Sequence, residues 1–142
     1  MTIYFYTKND EYGDFSNFSS HGIEMGGEWW RTVEHYFQAQ KFSDQEHQNK
    51  IRDAFTAKQA AELGRSRKTP IRRDWEEVKD QIMFDAVLKK FQTHSELLDK
   101  LLSTGSESIV ENAPGDYYWG AGKDGTGLNK LGFILEKVRA KI

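Results

Sequence analysis

The residues best suited to chemistry lie on one predicted helix that begins after Thr32. Glu34, Gln38 and Lys41 follow one another at i, i+4 and i+7, so their side chains share one stripe of that helix. A carboxylate and an amine held together predict acid–base catalysis by Glu34 and nucleophilic attack by Lys41. The alternative is a solvated helix face with an ordinary charge pattern. Aromatic residues before and within the helix favour a covered stripe, where burial lowers the pKa of Lys41.

A second candidate is the segment 114–132, which holds six of the chain's twelve glycines together with Asp116, Trp119 and Asn129. Fixing so many glycines costs conformational entropy, so the composition favours a backbone that approaches a ligand or adopts positive φ. We also expect a helix to begin near Leu128, with free amides at its N-terminus that suit a phosphate. The structural alternative is a long connecting loop punctuated by turns.

A third cluster comprises Asp14, Phe15, Ser16, Asn17 and Phe18. Two aromatic rings that flank small hydrogen-bonding side chains predict a platform for a base or a sugar, with Asn17 as donor and acceptor. The alternative is a turn closed by an Asx or Ser hydrogen bond, with both phenylalanines in the core.

Basic residues form a run just before Trp75, and this run is either a solvated surface or a patch that attracts a phosphorylated substrate. Its members are Arg65, Arg67, Lys68, Arg72 and Arg73. The four histidines lack the spacing of a metal-binding helix motif, and the chain has no cysteine. We therefore predict no metal and no cofactor.

Length and composition limit the class of protein. A chain of 142 residues can bury its own core, so we predict one domain over residues 1–142. The net charge of -2 excludes a surface that is basic throughout, so contact with nucleic acid needs a local patch. No apolar stretch approaches the length of a membrane span, and the N-terminus lacks a signal-peptide pattern. We therefore expect a cytoplasmic protein without membrane contact.

The expected fold class is α+β, a mostly helical single domain with a small N-terminal β-sheet or hairpin. Alternating side chains predict a strand at 2–7, and residues 22–30 predict a hairpin that turns at Gly26-Gly27. Residues 108–111 are a further short strand that leads into the glycine-rich segment.

Capping signals and apolar periodicity predict the helices. Their expected starts are after Thr32, Ser43, Thr56, Asp74 and Ser95. The helix after Asp74 is expected to run from about Trp75 to Phe91. A last helix presents Leu131, Leu135 and Val138 at helical spacing, so these residues are expected in the core.

Four separated segments carry a family resemblance. They are YGDFSNF at 12–18, WRTVEHYFQAQKF at 30–42, RDWEEVK at 73–79 and DYYWGAGKDGTGLNKLG at 116–132. Together they resemble the NADAR family, specifically its short YbiA-like branch, over nearly the whole chain. The resemblance implies the NADAR fold and an N-glycosidase that hydrolyses the bond between a ribosyl carbon and an exocyclic nitrogen of a heterocycle.

The resemblance implies two classes of substrate or partner. One is a phosphorylated nucleoside-type small molecule, the phosphoribosylamino-pyrimidine intermediates of riboflavin biosynthesis. The other is ADP-ribosylated nucleic acid, in which ADP-ribose is removed from guanine. Two alternatives to an enzyme are a non-catalytic module that binds ADP-ribose or an NAD derivative, and an interaction protein without a small-molecule site.

The resemblance also assigns residues to roles. It implies Glu34 and Lys41 on the catalytic helix and Asp116 in the substrate loop, and we predict these three as catalytic. Where the family typically has proline, this chain has Arg31. Substrate contacts are predicted for Asp14, Phe15, Ser16, Asn17, Phe18, Trp30, Thr32, Gln38, Arg73, Trp75, Trp119, Gly120, Gly122, Gly125, Gly127 and Asn129.

Two mechanisms are compatible with these residues. In one, Lys41 attacks the anomeric carbon and forms an imine with the opened sugar, while Glu34 transfers protons. In the other, Glu34 activates a water and Lys41 stabilises charge. The sequence does not decide between them, and it does not determine the physiological N-glycoside or the oligomeric state.

Overall fold

Helices make up about 49% of the residues and strands 8%, which confirms the predicted α+β, mostly helical class. The computed structural model describes all 142 residues. They fall into two compact units, one of residues 1–19 with 91–142 and one of residues 20–90. The expectation of one domain over residues 1–142 stays a prediction.

The elements follow one another along the chain with short connections, apart from the glycine-rich segment before the last helix. In order they are β1 (Ile3–Phe5), a 3-10 turn (Gly13–Phe15), β2 (Ile23–Met25), β3 (Glu28–Trp30), α1 (Val33–Gln40), α2 (Gln45–Asp53), α3 (Ala57–Arg65), α4 (Trp75–Thr93), α5 (Ser95–Ser103), β4 (Ile109–Glu111) and α6 (Lys130–Lys141).

In the first unit, β1 pairs in parallel with β4, with Ile3 opposite Ile109 and Phe5 opposite Glu111. This pairing forms a second small sheet beside the predicted N-terminal hairpin, and one of its strands comes from residues 109–111. Ile3 and Phe5 are buried while Tyr4 is exposed, as the alternation predicted. The strand pair therefore has one core-facing side, and α6 packs beside β4.

The last helix supplies much of the core of the first unit. Leu131, Leu135 and Val138 are fully buried on α6, which confirms the predicted apolar stripe. The helix begins at Lys130, two residues after the expected start near Leu128.

In the second unit, β2 and β3 form the predicted antiparallel hairpin, with Ile23 opposite Trp30. Gly26 and Gly27 have φ values of 63° and 82°. A two-residue turn with positive φ at both positions matches the twist of the flanking strands, which is why glycine is favoured there.

Helix α1 begins where Thr32 predicts, and a buried histidine fixes that start. The Thr32 Oγ1 accepts from the His35 backbone amide at 3.1 Å and lies 2.8 Å from His35 Nδ1. His35 Nε2 lies 3.0 Å from the carbonyl oxygen of Ala54, at the end of α2. A neutral ring with its proton on Nε2 satisfies both contacts, because the threonine hydroxyl then donates to Nδ1. The start of α1 is thereby tied to the end of α2.

Besides Thr32, one further predicted cap is confirmed and two are wrong. Thr56 accepts from the Gln59 amide at 3.1 Å and caps α3 as expected. The cap of α2 is Asp44 rather than Ser43, because the Asp44 carboxylate accepts from the His47 amide. Asp74 precedes α4, but its carboxylate is bound by the Arg72 guanidinium at 2.6 and 3.0 Å instead of capping the helix.

The buried face of α3 consists only of small residues at i, i+3, i+4 and i+7, and α3 lies against α1 and α2. These residues are Ala57, Ala60, Ala61 and Gly64. Small side chains let helix axes approach closely, so the side chains of α1 that face α3 are tightly enclosed.

The buried His35 predicts a dependence of stability on pH. Burial is the main cause that lowers the pKa of His35 below 6.5. The hydrogen bond between His35 and the Ala54 carbonyl oxygen opposes this shift, and the charge of Arg31 adds to it. The unfolded chain therefore binds a proton that the folded chain rejects. Stability should be complete above pH 6.5 and should fall progressively as the pH drops below that value, by about 1.4 kcal/mol per unit of pKa difference.

Urea unfolding between pH 7.5 and pH 5 measures this effect. His35→Gln should be less stable at pH 7.5 but should lose less stability on acidification than the wild type. An equal slope in His35→Gln and wild type would show that His35 does not carry the effect.

Candidate active site

The stripe of α1 is covered rather than solvated. Glu34 is 9% exposed and Gln38 is 8% exposed, while Lys41 is half-buried. Gln38 Nε2 donates to Glu34 Oε2 at 2.7 Å. This burial excludes the alternative of an ordinary solvated helix face, because such a face leaves its charged groups in water.

Lys41 lies at the C-terminal end of α1, where its carbonyl oxygen accepts from the Arg72 amide at 2.8 Å. Burial lowers the pKa of the Lys41 ammonium below 10.5, while the Glu34 carboxylate raises it in opposition. Arg67, Arg65 and Lys79 lower this pKa further. A lowered pKa increases the fraction of neutral amine, which is the form that attacks carbon.

The cations that act on Lys41 form a positive cluster in the second unit. Arg65 ends α3, Arg67 follows it, and Lys79 lies on α4. Arg67 Nη1 donates to the carbonyl oxygen of Gly64 at 2.9 Å, which holds that side chain near the end of α3. The basic run in the sequence pointed to Arg65 and Arg67 but not to Lys79, which joins them only through the packing of α4.

The other cations of the basic run differ in their surroundings. Arg72 is engaged by Asp74 in a bidentate ion pair, and Arg73 is exposed. Contact between Arg73 and a substrate stays a prediction.

Three other residues of the second unit that were expected to contact substrate have structural roles. Trp30 is buried and its Nε1 donates to the carbonyl oxygen of Met25 at 3.2 Å. Trp75 is buried, with its ring centre 5.0 Å from that of Phe37. Thr32 caps α1. Contacts of Trp30, Thr32 and Trp75 with a substrate stay predictions.

In the first unit, Phe15 packs in the core, and its contact with a substrate stays a prediction. Phe15 is 1% exposed, and its ring lies 6.1 Å from Phe5 and 5.8 Å from Phe91. This is the structural alternative for Phe15, which fills the core. Asp14 is half-buried and its carboxylate lies 3.5 Å from Lys100 Nζ.

The neighbours of Phe15 form a turn that presents one aromatic ring. The Ser16 hydroxyl accepts from the Phe18 amide at 3.1 Å, and Asn17 is buried. Phe18 is 39% exposed, so its ring is accessible for stacking. Substrate contacts of Asp14, Ser16, Asn17 and Phe18 stay predictions.

The glycine-rich segment folds back on itself through its backbone. The carbonyl oxygens of Tyr117, Tyr118, Trp119 and Gly120 accept, at 2.9 to 3.0 Å, from the amides of Leu128, Lys130, Leu131 and Asn129, respectively. Lys130 and Leu131 are the first residues of α6. The expectation of free amides for a phosphate near Leu128 is therefore wrong, because these amides already have carbonyl partners.

The glycines of this segment serve both its conformation and its packing. Gly122 and Gly125 have φ values of 74° and 80°, which confirms the expected positive φ. A Cβ at Gly120 would lie 3.0 Å from the carbonyl oxygen of Glu111, and one at Gly127 would lie 2.7 Å from the carbonyl carbon of Ala121. Close packing of the loop backbone thus accounts for Gly120 and Gly127 without a ligand.

Asp116 and Asn129 organise the two ends of this loop. Asp116 Oδ1 accepts from the amides of Tyr118 and Trp119 at 3.0 and 2.8 Å. Asn129 has a φ of 52°, its Oδ1 accepts from the Glu111 amide and its Nδ2 donates to the Ile109 carbonyl oxygen, both at 2.9 Å. Asn129 therefore braces β4. Catalysis by Asp116 and ligand contacts of Trp119, Asn129 and the loop glycines stay predictions.

Three further features bear on function. The structure contains no group of three or more His, Asp or Glu side chains that could hold a metal ion. None of its helices combines the length and apolar character needed to cross a bilayer. A cavity of about 410 Å³ lies on the face of α3 opposite its small residues, and it is lined by Ala54, Gln59, Glu62, Leu63 and Ser66.

Known proteins match this chain over almost its full length. The NADAR domain model matches residues 4–142. An N-glycosidase from Nostoc punctiforme is 52% identical over 100% of this chain and 93% of its own length. The chloroplastic riboflavin biosynthesis protein PYRR of Zea mays is 40% identical over 99% of this chain and 25% of its own length. The NMR structure of the E. coli protein YbiA has 45% identity and a TM-score of 0.91, covering 99% of this chain and 83% of that chain.

The bracing role of Asn129 predicts a loss of stability on substitution. Asn129→Ala should lower the free energy of unfolding by about 2–3 kcal/mol, from two hydrogen bonds of about 1 kcal/mol each and the strain of alanine at positive φ. Asn129→Gly relieves the strain and isolates the hydrogen bonds. Asn112→Ala, at an exposed position after β4, is the control and should change stability by less than about 0.5 kcal/mol.

Urea unfolding of Asn129→Ala, Asn129→Gly and Asn112→Ala measures these changes in the free energy of unfolding. If Asn129→Ala matches Asn112→Ala in stability, the two hydrogen bonds contribute nothing and the bracing role is wrong.

Proposed function

Because this chain belongs to the NADAR family, we propose that Glu34 and Lys41 hydrolyse the bond between a ribosyl carbon and a nitrogen of a heterocycle. The chain is an N-glycosidase, a hydrolase that acts on N-glycosyl compounds. The observation that carries the assignment of residues is the burial of one carboxylate and one amine on the same stripe of α1.

The electrostatics of the stripe support a relay of protons. The Glu34 carboxylate raises the pKa of Lys41, which means that the two groups interact. Gln38 donates to Glu34 and favours its carboxylate form at rest. Glu34 can therefore take a proton from the Lys41 ammonium, which leaves a neutral amine and a protonated acid.

Both products of this transfer are needed to break the glycosidic bond. Lys41 Nζ forms a bond to the anomeric carbon while the bond to the heterocycle breaks, and the leaving nitrogen takes the proton from Glu34. The attached nitrogen then returns one proton to Glu34. Its second proton passes to the ring oxygen as the bond between that oxygen and the anomeric carbon breaks, which leaves the opened sugar as an imine on Lys41. Water adds to the imine and releases the sugar, which restores the Lys41 amine.

The substrate class that we favour is the phosphoribosylamino-pyrimidines of riboflavin biosynthesis. The support is a relative named as a riboflavin biosynthesis protein and the cluster of Arg65, Arg67 and Lys79 around Lys41, since cations attract a phosphorylated sugar. ADP-ribosylated guanine is the second substrate class that the family resemblance implies, and it is the comparison substrate in the assay. The rate at which free base is released from each substrate, measured by chromatography, shows which of the two substrate classes the enzyme prefers.

Conservative substitution of Glu34 tests its role in proton transfer. Glu34→Gln keeps the shape but cannot titrate, so kcat should fall by about 100-fold or more with KM largely unchanged. Glu46→Gln, at an exposed position on α2, is the matched control and should keep wild-type kcat. A Glu34→Gln variant with normal kcat would remove Glu34 from the mechanism.

Lys41 is tested by reduction of the imine. Borohydride added during turnover should trap a sugar adduct on the wild type and on the exposed-lysine control Lys50→Ala, but not on Lys41→Ala. The rate of trapping should rise with pH with a midpoint below 10.5, because attack needs the neutral amine. Lys41→Arg keeps the positive charge without forming an imine. An active Lys41→Arg enzyme without adduct would establish water attack instead.

Turnover should need no added metal, because this chain offers no grouped set of metal ligands. Dialysis against a chelator should leave kcat unchanged within about twofold, measured as released base. If chelation abolishes turnover and zinc or magnesium restores it, the metal-free mechanism is wrong.

A further inference from the structure

Gln38 lies between Glu34 and a glycine that the sequence does not mark as functional. Its Nε2 donates to Glu34 Oε2 at 2.7 Å, and its Oε1 faces Gly64 on α3. A Cβ on Gly64 would overlap Gln38 Oε1 and would lie 2.7 Å from its Cδ. The carboxamide of Gln38 therefore occupies the space that any side chain at position 64 would need.

The chemistry of Glu34 determines which end of this carboxamide faces it. An ionised carboxylate only accepts hydrogen bonds, so Gln38 must present its nitrogen to Glu34 and its oxygen to Gly64. Gln38 Oε1 is then buried without a hydrogen-bond partner. A buried acceptor in this state is unfavourable and uncommon, so it requires an explanation.

The explanation that fits these contacts is orientation of the carboxylate. We propose that Gly64 is a positioning residue of the N-glycosidase site, because it provides the space in which Gln38 holds Glu34 in one orientation. This inference rests on the proposed function, since it assigns Glu34 to proton transfer. Gly64 itself touches no reacting group, and it acts through Gln38.

The fold supports this role at position 64. Gly64 lies on the buried face of α3, whose other members are alanines, so α3 approaches α1 closely. Alanine is the better helix former, so the local preference of α3 would favour alanine at this position. The sterics of Gln38 therefore explain the glycine, whereas helix formation does not.

Several charged or titratable groups surround the stripe, and they contribute to the pH dependence of activity and of the Glu34 titration. Lys41 is on α1 itself, Arg65 and Arg67 are at and after the end of α3, and Lys79 is on α4. From α2, His47 lies against Phe42, and its Nε2 is 3.2 Å from the Leu63 carbonyl oxygen. None of these groups is altered by substitution at Gly64, so a change in the profile reports on Glu34 and Gln38.

The test is a double-mutant cycle of Gly64→Ala and Gln38→Ala, with a phosphoribosylamino-pyrimidine as substrate. Gly64→Ala alone should lower kcat by at least about tenfold and change KM by less than about twofold, because the oriented carboxylate acts in the chemical step. In the Gln38→Ala background the same methyl group has room, so it should cause no further loss of kcat. An equal loss in both backgrounds, or no loss in either, would overturn the proposal.

Folding of the variants is measured by thermal unfolding, and each result bears on the proposal. If Gly64→Ala fails to fold while the double variant folds, the clash with Gln38 is the cause. This result supports the proposal that Gly64 leaves the space that the Gln38 carboxamide occupies. If both fail to fold, the methyl group is excluded by something other than Gln38, and the proposal is wrong.

A readout without turnover separates this inference from the proposed function. The titration of the Glu34 carboxyl carbon, followed by NMR, should move to higher pH in Gly64→Ala, because a carboxylate that loses its N–H donor is harder to form. It should not move when Gly64→Ala is added to Gln38→Ala. If the wild type releases no base, the proposed function fails, and this titration still decides whether Gly64 positions the carboxylate. An unchanged titration in Gly64→Ala would overturn the inference.

Discussion

The burial of the Glu34 carboxylate is the constraint on which the second unit depends. A buried charge is unfavourable unless hydrogen-bond donors or opposite charges compensate it. Gln38 supplies the donor one turn along α1, and Lys41 supplies the opposite charge at the helix end. Covering this stripe without a void requires α3 to lie close to α1, which explains a packing face made only of alanine and glycine. The proposed proton transfer and the close packing of α3 on α1 therefore constrain the same residues, Glu34 and Gln38 on α1 and the small residues on α3.

The start of α1 must be fixed as firmly as its stripe, since a rotation of the helix would move Glu34. Arg31, where the family typically has proline, contributes through space rather than through backbone rigidity. Its Nη1 donates to the carbonyl oxygens of Ala54 and Phe55 at 3.0 and 3.3 Å, at the end of α2. A guanidinium also complements the negative end of a helix dipole. Together with the His35 contact, this arrangement lets the chain enter α1 at the expected residue without the proline.

Features that depend on near neighbours in the sequence could be predicted, and features that depend on competition or distance could not. The Thr32 and Thr56 caps need only a backbone amide three residues on, and both are present. Asp74 has the same local pattern, but Arg72 binds its carboxylate more strongly as a charged partner. The parallel pairing of β1 with β4 joins the two ends of the chain, so no local periodicity could reveal it. Gly64 was missed for the same reason, because its role depends on a side chain of another helix.

The glycine-rich segment shows how one composition serves two different purposes. A loop that cradles phosphate and a loop that packs on its own backbone both need residues without side chains, and the sequence cannot separate them. The carbonyl oxygens of residues 117–120 occupy the amides that would have bound an anion at the start of α6. If the substrate carries a phosphate, we infer that cationic side chains rather than these amides attract it. We propose Arg65, Arg67 and Lys79 for this role. They lower the pKa of Lys41, so a bound phosphate that offsets part of their charge would raise this pKa again and thereby link phosphate binding to the protonation of the amine.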